Sequence, residues 1–64
     1  MRQTKTREER EKELQALMST PEGRAELERL ASRYQNEGGR ARPVRTSVIT
    51  YILVHERQQG LITG

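Results

Sequence analysis

The chain has 64 residues, and 12 Lys and Arg against nine Glu give it a net charge of +3. A chain of this length has room for a single domain, 1–64, and the absence of cysteine excludes both disulfides and thiolate metal sites. His55 is the single histidine and cannot form a metal site without carboxylate ligands, so we expect no metal and no cofactor.

Apolar residues are scarce for a domain of this size. They make up 31% of the chain, and Phe and Trp are absent. Domains this small usually add a disulfide, a metal or a partner chain to a core that is too small alone. Because the composition argues against the first two, we expect a partner chain, and a second copy of the same chain is the simplest one.

The sequence also bears on location. No apolar run reaches the length of about 18 residues that is needed to span a bilayer. The first ten residues are polar and include Glu8 and Glu9, which fits neither a secretory signal nor a transit peptide. We therefore expect a cytoplasmic protein that does not bind membranes.

A first helix is predicted over about 6–18. Thr6 and Glu9 have the spacing of a capping box, in which each side chain accepts a hydrogen bond from the backbone of the other. The first two turns carry no apolar residue, so residues 1–9 are expected to fray, to be disordered or to project into solvent. The apolar face is confined to the last turns and consists of Leu14, Leu17 and Met18.

A second helix is predicted over about 20–37, where Thr20 is a good N-cap and Pro21 suits the first helical position. Gly38 and Gly39 end it, because glycine readily takes the left-handed conformation at a helix C-terminus. One narrow apolar stripe at helical spacing consists of Leu27, Leu30, Ala31 and Tyr34. The short link between the two helices predicts an antiparallel αα-hairpin.

The third segment has two interpretations. Six of the ten residues from Thr46 to His55 are β-branched, which favours a strand over 46–55. The apolar residues nevertheless recur with the period of a helix. One side of the helical wheel holds Val48, Ile49, Ile52 and Leu53, and the other side holds Ser47, Thr50, Val54 and Arg57. We therefore predict a third helix over about 46–59, capped by Thr46 and followed by Gly60, and a mainly α fold.

The apolar surface of this third segment is broader than one packed face needs, and the stripes of the first two helices are thin. One interpretation is that all three helices pack together and the segment is simply core. The other is that its uncovered side binds a second copy or another protein. The residues predicted for that partner interface are Val48, Ile49, Ile52 and Leu53.

A flexible basic loop, 38–45, connects the second and third segments and has three Arg and no acid. The run Arg40–Pro43 resembles the core of an AT-hook, in which an Arg-Gly-Arg-Pro stretch lies along the minor groove of A·T-rich DNA. Ala41 stands where that motif has Gly, and no basic residue directly follows Pro43. The alternatives are phosphate contacts without sequence preference and a loop that is merely solvated. The residues predicted to contact a nucleic acid are Arg40, Arg42 and Arg45.

The sequence contains no complete catalytic pattern. His55 and Glu56 begin like the zinc-protease pattern H-E-x-x-H, but Gln59 stands where the second ligand belongs. We therefore predict a small non-catalytic helical protein without a small-molecule substrate, which forms a homodimer or docks on another protein through its third segment. The alternative is a nucleic-acid-binding protein that uses the loop 40–45.

Overall fold

The computed structural model describes residues 4–38 and 41–63. Its elements in chain order are β1 (Lys5–Thr6), α1 (Arg7–Met18), α2 (Pro21–Asn36), α3 (Val48–Gln58) and β2 (Ile62–Thr63). The predicted mainly helical fold is confirmed, with α1 and α2 as a hairpin and α3 packed against both. A strand over 46–55 is wrong, because α3 is a helix. Within the two described ranges, no helix is long and apolar enough to cross a membrane.

Both helices of the hairpin begin at the residues that the sequence predicts as caps. At Thr6 the capping box is complete: the Glu9 amide donates to Thr6 Oγ1 over 3.2 Å, and the Thr6 amide donates to Glu9 Oε1 over 3.1 Å. At Thr20 the hydroxyl oxygen accepts from the Gly23 amide over 3.0 Å. These bonds satisfy backbone donors that no helical carbonyl reaches, so they determine where each helix starts.

The first turn of α2 lies directly against the last turn of α1 at Gly23. Gly23 is buried, and a Cβ atom built on it would lie 2.0 Å from the carbonyl oxygen of Leu17. A glycine is therefore required for this approach of the two backbones. It allows the link of Ser19 and Thr20 to turn the chain back, so that the apolar stripes of α1 and α2 face each other.

The start of α3 differs from the prediction by one residue. The hydroxyl oxygen of Ser47 accepts from the Thr50 amide over 3.1 Å, so Ser47 and not Thr46 is the N-cap. The amide of Thr46 donates instead to the carbonyl of Pro43 over 3.0 Å and closes a turn. After α3 the chain turns at Gly60, whose φ of 76° is in the left-handed region, as predicted for a glycine at this position.

A short parallel sheet pairs the segment before α1 with the segment after α3. Lys5 lies opposite Ile62, and Thr6 lies opposite Thr63. The pairing brings Ile62 into the core, where it is 5% exposed, while its neighbour Leu61 stays 56% exposed. The sequence does not predict this sheet, because strands of two residues are too short to have a periodicity.

The core lies where the three helices and β2 meet. It consists of Leu14, Leu27, Ala31, Tyr34, Val48, Ile49, Tyr51, Ile52, Leu53 and Ile62. Among them are the four residues predicted as a partner interface, Val48, Ile49, Ile52 and Leu53. None of the four is more than 8% exposed, because α1, α2 and β2 together cover the broad apolar surface of α3. In the folded chain these four side chains are buried, which favours the interpretation that the third segment is core.

Candidate functional site

Glu56 is the one charged residue within 4–38 and 41–63 that lies in the core. It is 4% exposed and sits on the side of α3 that also carries Ile52 and Leu53. A carboxylate that leaves water loses its hydration, and hydrogen bonds and an opposite charge must replace it. Three donor groups on α1 and α2 do so.

The guanidinium of Arg10 binds both oxygens of Glu56, with Nε to Oε1 at 2.8 Å and Nη2 to Oε2 at 2.8 Å. The hydroxyl of Tyr34 donates to Oε2 over 2.6 Å. We call these three residues the Glu56 cluster. The hydrogen bond to Glu56 raises the pKa of Arg10 above its usual range. The pKa of Tyr34 is also raised, mainly because its hydroxyl is buried and secondly because it donates a hydrogen bond to Glu56. Arg10 therefore stays charged and Tyr34 stays neutral at neutral pH.

The cluster continues to the surface through Glu13. Arg10 Nη1 donates to Glu13 Oε1 over 3.0 Å, and the Lys5 ammonium donates to the other oxygen of the same carboxylate. The Lys5 hydrogen bond, and then that of Arg10, lowers the pKa of Glu13 below its usual range. Charged side chains thus form a continuous path from β1 through α1 to α3.

The hydrogen bonds of the Glu56 cluster indicate a structural role. Among the described residues, no buried side-chain nitrogen or oxygen lacks a hydrogen-bond partner, so the buried polar atoms of the cluster are all paired. His55 beside it stacks on the ring of Tyr34, with centroids 4.2 Å apart and planes 19° from parallel. No three His, Cys, Asp or Glu side chains in the described part of the chain come together as metal ligands.

The Glu56 cluster is not predicted from the sequence, although one signal for it is present there. Glu56 falls at helical spacing from Ile52 and Leu53, so the helical pattern itself places a carboxylate on the apolar face of α3. A buried carboxylate requires a cationic partner. The sequence does not identify Arg10 as that partner.

A groove runs along the exposed side of α3, between that helix and the connector, residues 41–47. We call it the connector groove. The end of α2 closes it on one side with Glu37 and Gly38. Its other lining residues include Ala41, Pro43, Thr46, Thr50, Val54 and Gln58. Val54 is 48% exposed, and Val44, in the turn beside the groove, is fully exposed.

The exposed charges of the connector and α3 have one sign, and Glu37 at the end of α2 is the acid that lines the groove. From residue 41 to residue 63 the charged residues are Arg42, Arg45, Glu56 and Arg57, and the sole acid among them is buried. Arg45 and Arg57 are exposed and form no ion pair within the described residues. The face formed by the connector and α3 is therefore cationic.

The residues predicted to contact a nucleic acid have different surroundings. The side chain of Arg42 is 33% exposed and lies 3.5 Å from Glu28 on α2, which neutralises part of its charge. Arg45 is exposed in the turn that follows Pro43. Arg40 lies outside the described residues. The structure thus leaves Arg45 the more accessible of the two Arg that it describes.

Comparison of the chain with protein-family models, with curated proteins and with solved structures finds no match.

Proposed function

We propose that this chain is a small non-catalytic binding protein, which binds another protein or a second copy of itself through the connector and the exposed side of α3. The observation that carries the proposal is a coincidence of three features on that face. Exposed apolar side chains, a groove and unpaired Arg side chains all occur there. Because the apolar side of α3 is used in the core, the opposite side is the one left for a partner.

The distribution of exposed apolar residues supports this choice of face. Among the described residues, the large hydrophobic side chains that remain exposed are Val44, Val54 and Leu61. All three follow α2 in the chain, and none lies on α1 or α2. Single exposed apolar residues are common on protein surfaces, but Val54 lines the groove and Val44 lies in the connector that forms its wall.

Site-specific photo-crosslinking tests the proposal. A photoreactive amino acid replaces Val54 in one variant and, as a matched control, Ala16 on the exposed side of α1 in another. In cells that naturally produce the protein, we expect a discrete protease-sensitive adduct at position 54 and none at position 16. An adduct of twice the mass of the chain would identify a second copy as the partner. Equal labelling at both positions, or none at position 54, would contradict the proposal.

A second candidate function is nucleic-acid binding through the connector. The observation that favours it is the uniform sign of the exposed charges, because Arg side chains without acidic partners attract phosphates. Such binding weakens steeply with salt, whereas docking of apolar surfaces does not. The test is a salt series with random duplex DNA, A·T-rich duplex and single-stranded RNA, beside an Arg40/Arg42/Arg45→Ala variant. Salt-sensitive binding that the variant loses would favour this function over protein binding.

A further inference from the structure

We infer that the connector groove binds a short acidic peptide segment that carries one aliphatic side chain. The inference rests on the proposed function, since it names the chemistry of the partner on the same face. Three features of the groove carry it: the charge around it, its apolar floor and its free hydrogen-bonding groups.

The charge around the groove selects an acidic partner. Arg45 lies between groove-lining residues in the connector, and Arg57 lies three residues after Val54, one turn along α3. Glu37 is the acid that lines the groove, and Arg33 holds it in an ion pair of 3.2 Å. With Glu37 paired, Arg45 and Arg57 are the unpaired charged residues next to the groove-lining residues in the connector and α3, and they attract carboxylates and repel a basic segment.

The apolar part of the groove is small. Val54 is 48% exposed, and Ala41 and Pro43 line the connector wall opposite it. These three side chains offer contact for about one aliphatic side chain of a partner, which would remove Val54 from water. An apolar anchor surrounded by charged contacts is a common arrangement at peptide-binding surfaces.

Hydrogen-bonding groups line the same side of α3. The Thr50 hydroxyl accepts from Ser47 Oγ over 2.9 Å, so its own proton stays available to donate. Gln58 and Gln59 add exposed amides at the other end of the groove. From Thr50 to Gln58 the helix rises by about 12 Å, which is the length of about four residues of an extended chain. The groove therefore fits a short extended segment, with side-chain groups that can bind its backbone.

The groove fits a peptide better than a single-stranded nucleic acid. Single-stranded nucleic acids bind proteins largely by stacking bases on exposed aromatic rings. Of the aromatic rings that line this groove, Tyr51 is 8% exposed and His55 has Tyr34 stacked on one face. The lining is instead aliphatic, hydroxyl and amide, which suits a peptide backbone with an aliphatic side chain.

The test is a titration of isotope-labelled full-length protein, followed by amide chemical shifts, with three capped pentapeptides. Their sequences are Glu-Glu-Leu-Glu-Glu, the matched Lys-Lys-Leu-Lys-Lys and the anchorless Glu-Glu-Gly-Glu-Glu. We expect saturable shifts from the first peptide in the connector and along the exposed side of α3. The other two peptides should bind at least about tenfold more weakly, a difference of about 1.4 kcal/mol.

Paired variants localise the binding. Val54→Ser and Arg57→Glu should each weaken binding of the acidic peptide at least about tenfold, while Ala16→Ser and Arg7→Glu on the exposed side of α1 should leave its affinity unchanged. All four positions are exposed, so each variant should keep the fold, which its circular dichroism and melting temperature verify. Equal losses in the α1 controls would overturn the inference.

Two further outcomes would also overturn it. One is a lack of saturable shifts from the acidic peptide at millimolar concentration. The other is displacement of that peptide by a single-stranded RNA that shifts the same amides and binds more tightly. The crosslinking experiment separates this failure from that of the proposed function, because a protease-sensitive adduct at position 54 would still identify a protein-binding face.

Discussion

The guanidinium of Arg10 and the carboxylate of Glu56 face each other through two parallel hydrogen bonds of 2.8 Å, although the two residues lie 46 positions apart in the chain. The side chain of Glu56 is 5% exposed and that of Arg10 is 24% exposed. This pair holds the N-terminal half of α1, which has no apolar residue of its own, against α3. The first turns of α1 are thus attached to α3 by an ion pair, whereas the rest of the bundle is held together by apolar packing.

The difference in exposure predicts an order of stability for variants of this pair. Arg10→Met leaves the Glu56 carboxylate buried with Tyr34 as its remaining partner, and we expect a loss of about 3–5 kcal/mol in the free energy of unfolding. Glu56→Met should cost less, because Arg10 reaches water and keeps Glu13. The double variant should be more stable than Arg10→Met alone, since it buries no unpaired charge.

Chemical denaturation of the three variants measures this order. Arg7→Met, on an exposed position of the same helix, is the control and should change the free energy of unfolding by about 0.5 kcal/mol or less. Additive effects of the two single changes would show that the pair does not couple α1 to α3.

The hydroxyl of Tyr34 predicts a loss of stability at alkaline pH. Burial and the hydrogen bond to Glu56 raise the pKa of Tyr34 in the folded chain, whereas a tyrosine in the unfolded chain has a pKa of about 10. The stabilisation is therefore complete below about pH 10 and is lost as the pH rises above it, because the unfolded chain releases its proton first. The ionisation of Tyr34 can lower the free energy of unfolding by at most about 1.4 kcal/mol for each pH unit.

Tyr34→Phe isolates that effect, because it keeps the ring that stacks on His55 and removes the hydroxyl. We expect a loss of about 1.5–3 kcal/mol at neutral pH, the range for a hydrogen bond to a charged group. Above pH of about 10 the free energy of unfolding should fall less steeply in the variant than in the parent chain. Parallel pH profiles in the two proteins would assign the alkaline transition to another group.

The helix starts of the hairpin could be predicted from the sequence because their signals are local. Thr6 with Glu9, and Thr20 with Pro21, satisfy nearby backbone donors whatever the rest of the chain does. The start of α3 at Ser47 was less predictable, since Thr46 and Ser47 are adjacent and both residue types cap helices. A turn bond from the Thr46 amide to Pro43 decides between the two.

Contacts between distant segments could not be predicted in the same way. The position of Glu56 on the apolar face of α3 predicts a cationic partner, but the chain has ten Arg that could be that partner. The packing of α1 on α3 selects Arg10. The sheet of β1 and β2 has the same origin, because two residues in each strand pair after the helices have brought them together. The connector groove is likewise a product of packing.

Gly23 predicts a reversal of the usual effect of replacing a helical glycine. In an exposed helix interior, Gly→Ala stabilises by about 1 kcal/mol. Here the added Cβ would lie 2.0 Å from the carbonyl oxygen of Leu17, so α1 and α2 would have to separate. We expect Gly23→Ala to lower the free energy of unfolding by about 1–3 kcal/mol. Ser32→Ala, at an exposed position of α2, is the control and should be neutral or slightly stabilising; a stabilising Gly23→Ala would contradict the close helix approach.

Truncation of a side chain to Ala should destabilise the fold on one side of α3 and have little effect on the other. Ile52 is fully buried, so Ile52→Ala should lower the free energy of unfolding by about 2–5 kcal/mol. Val54 is 48% exposed on the other side, so Val54→Ala should change it by about 0.5 kcal/mol or less. Denaturation and sedimentation of the parent and both variants check this. If Ile52→Ala instead converted a dimer to a monomer of unchanged stability, the apolar pattern of α3 would describe an interface and not the core.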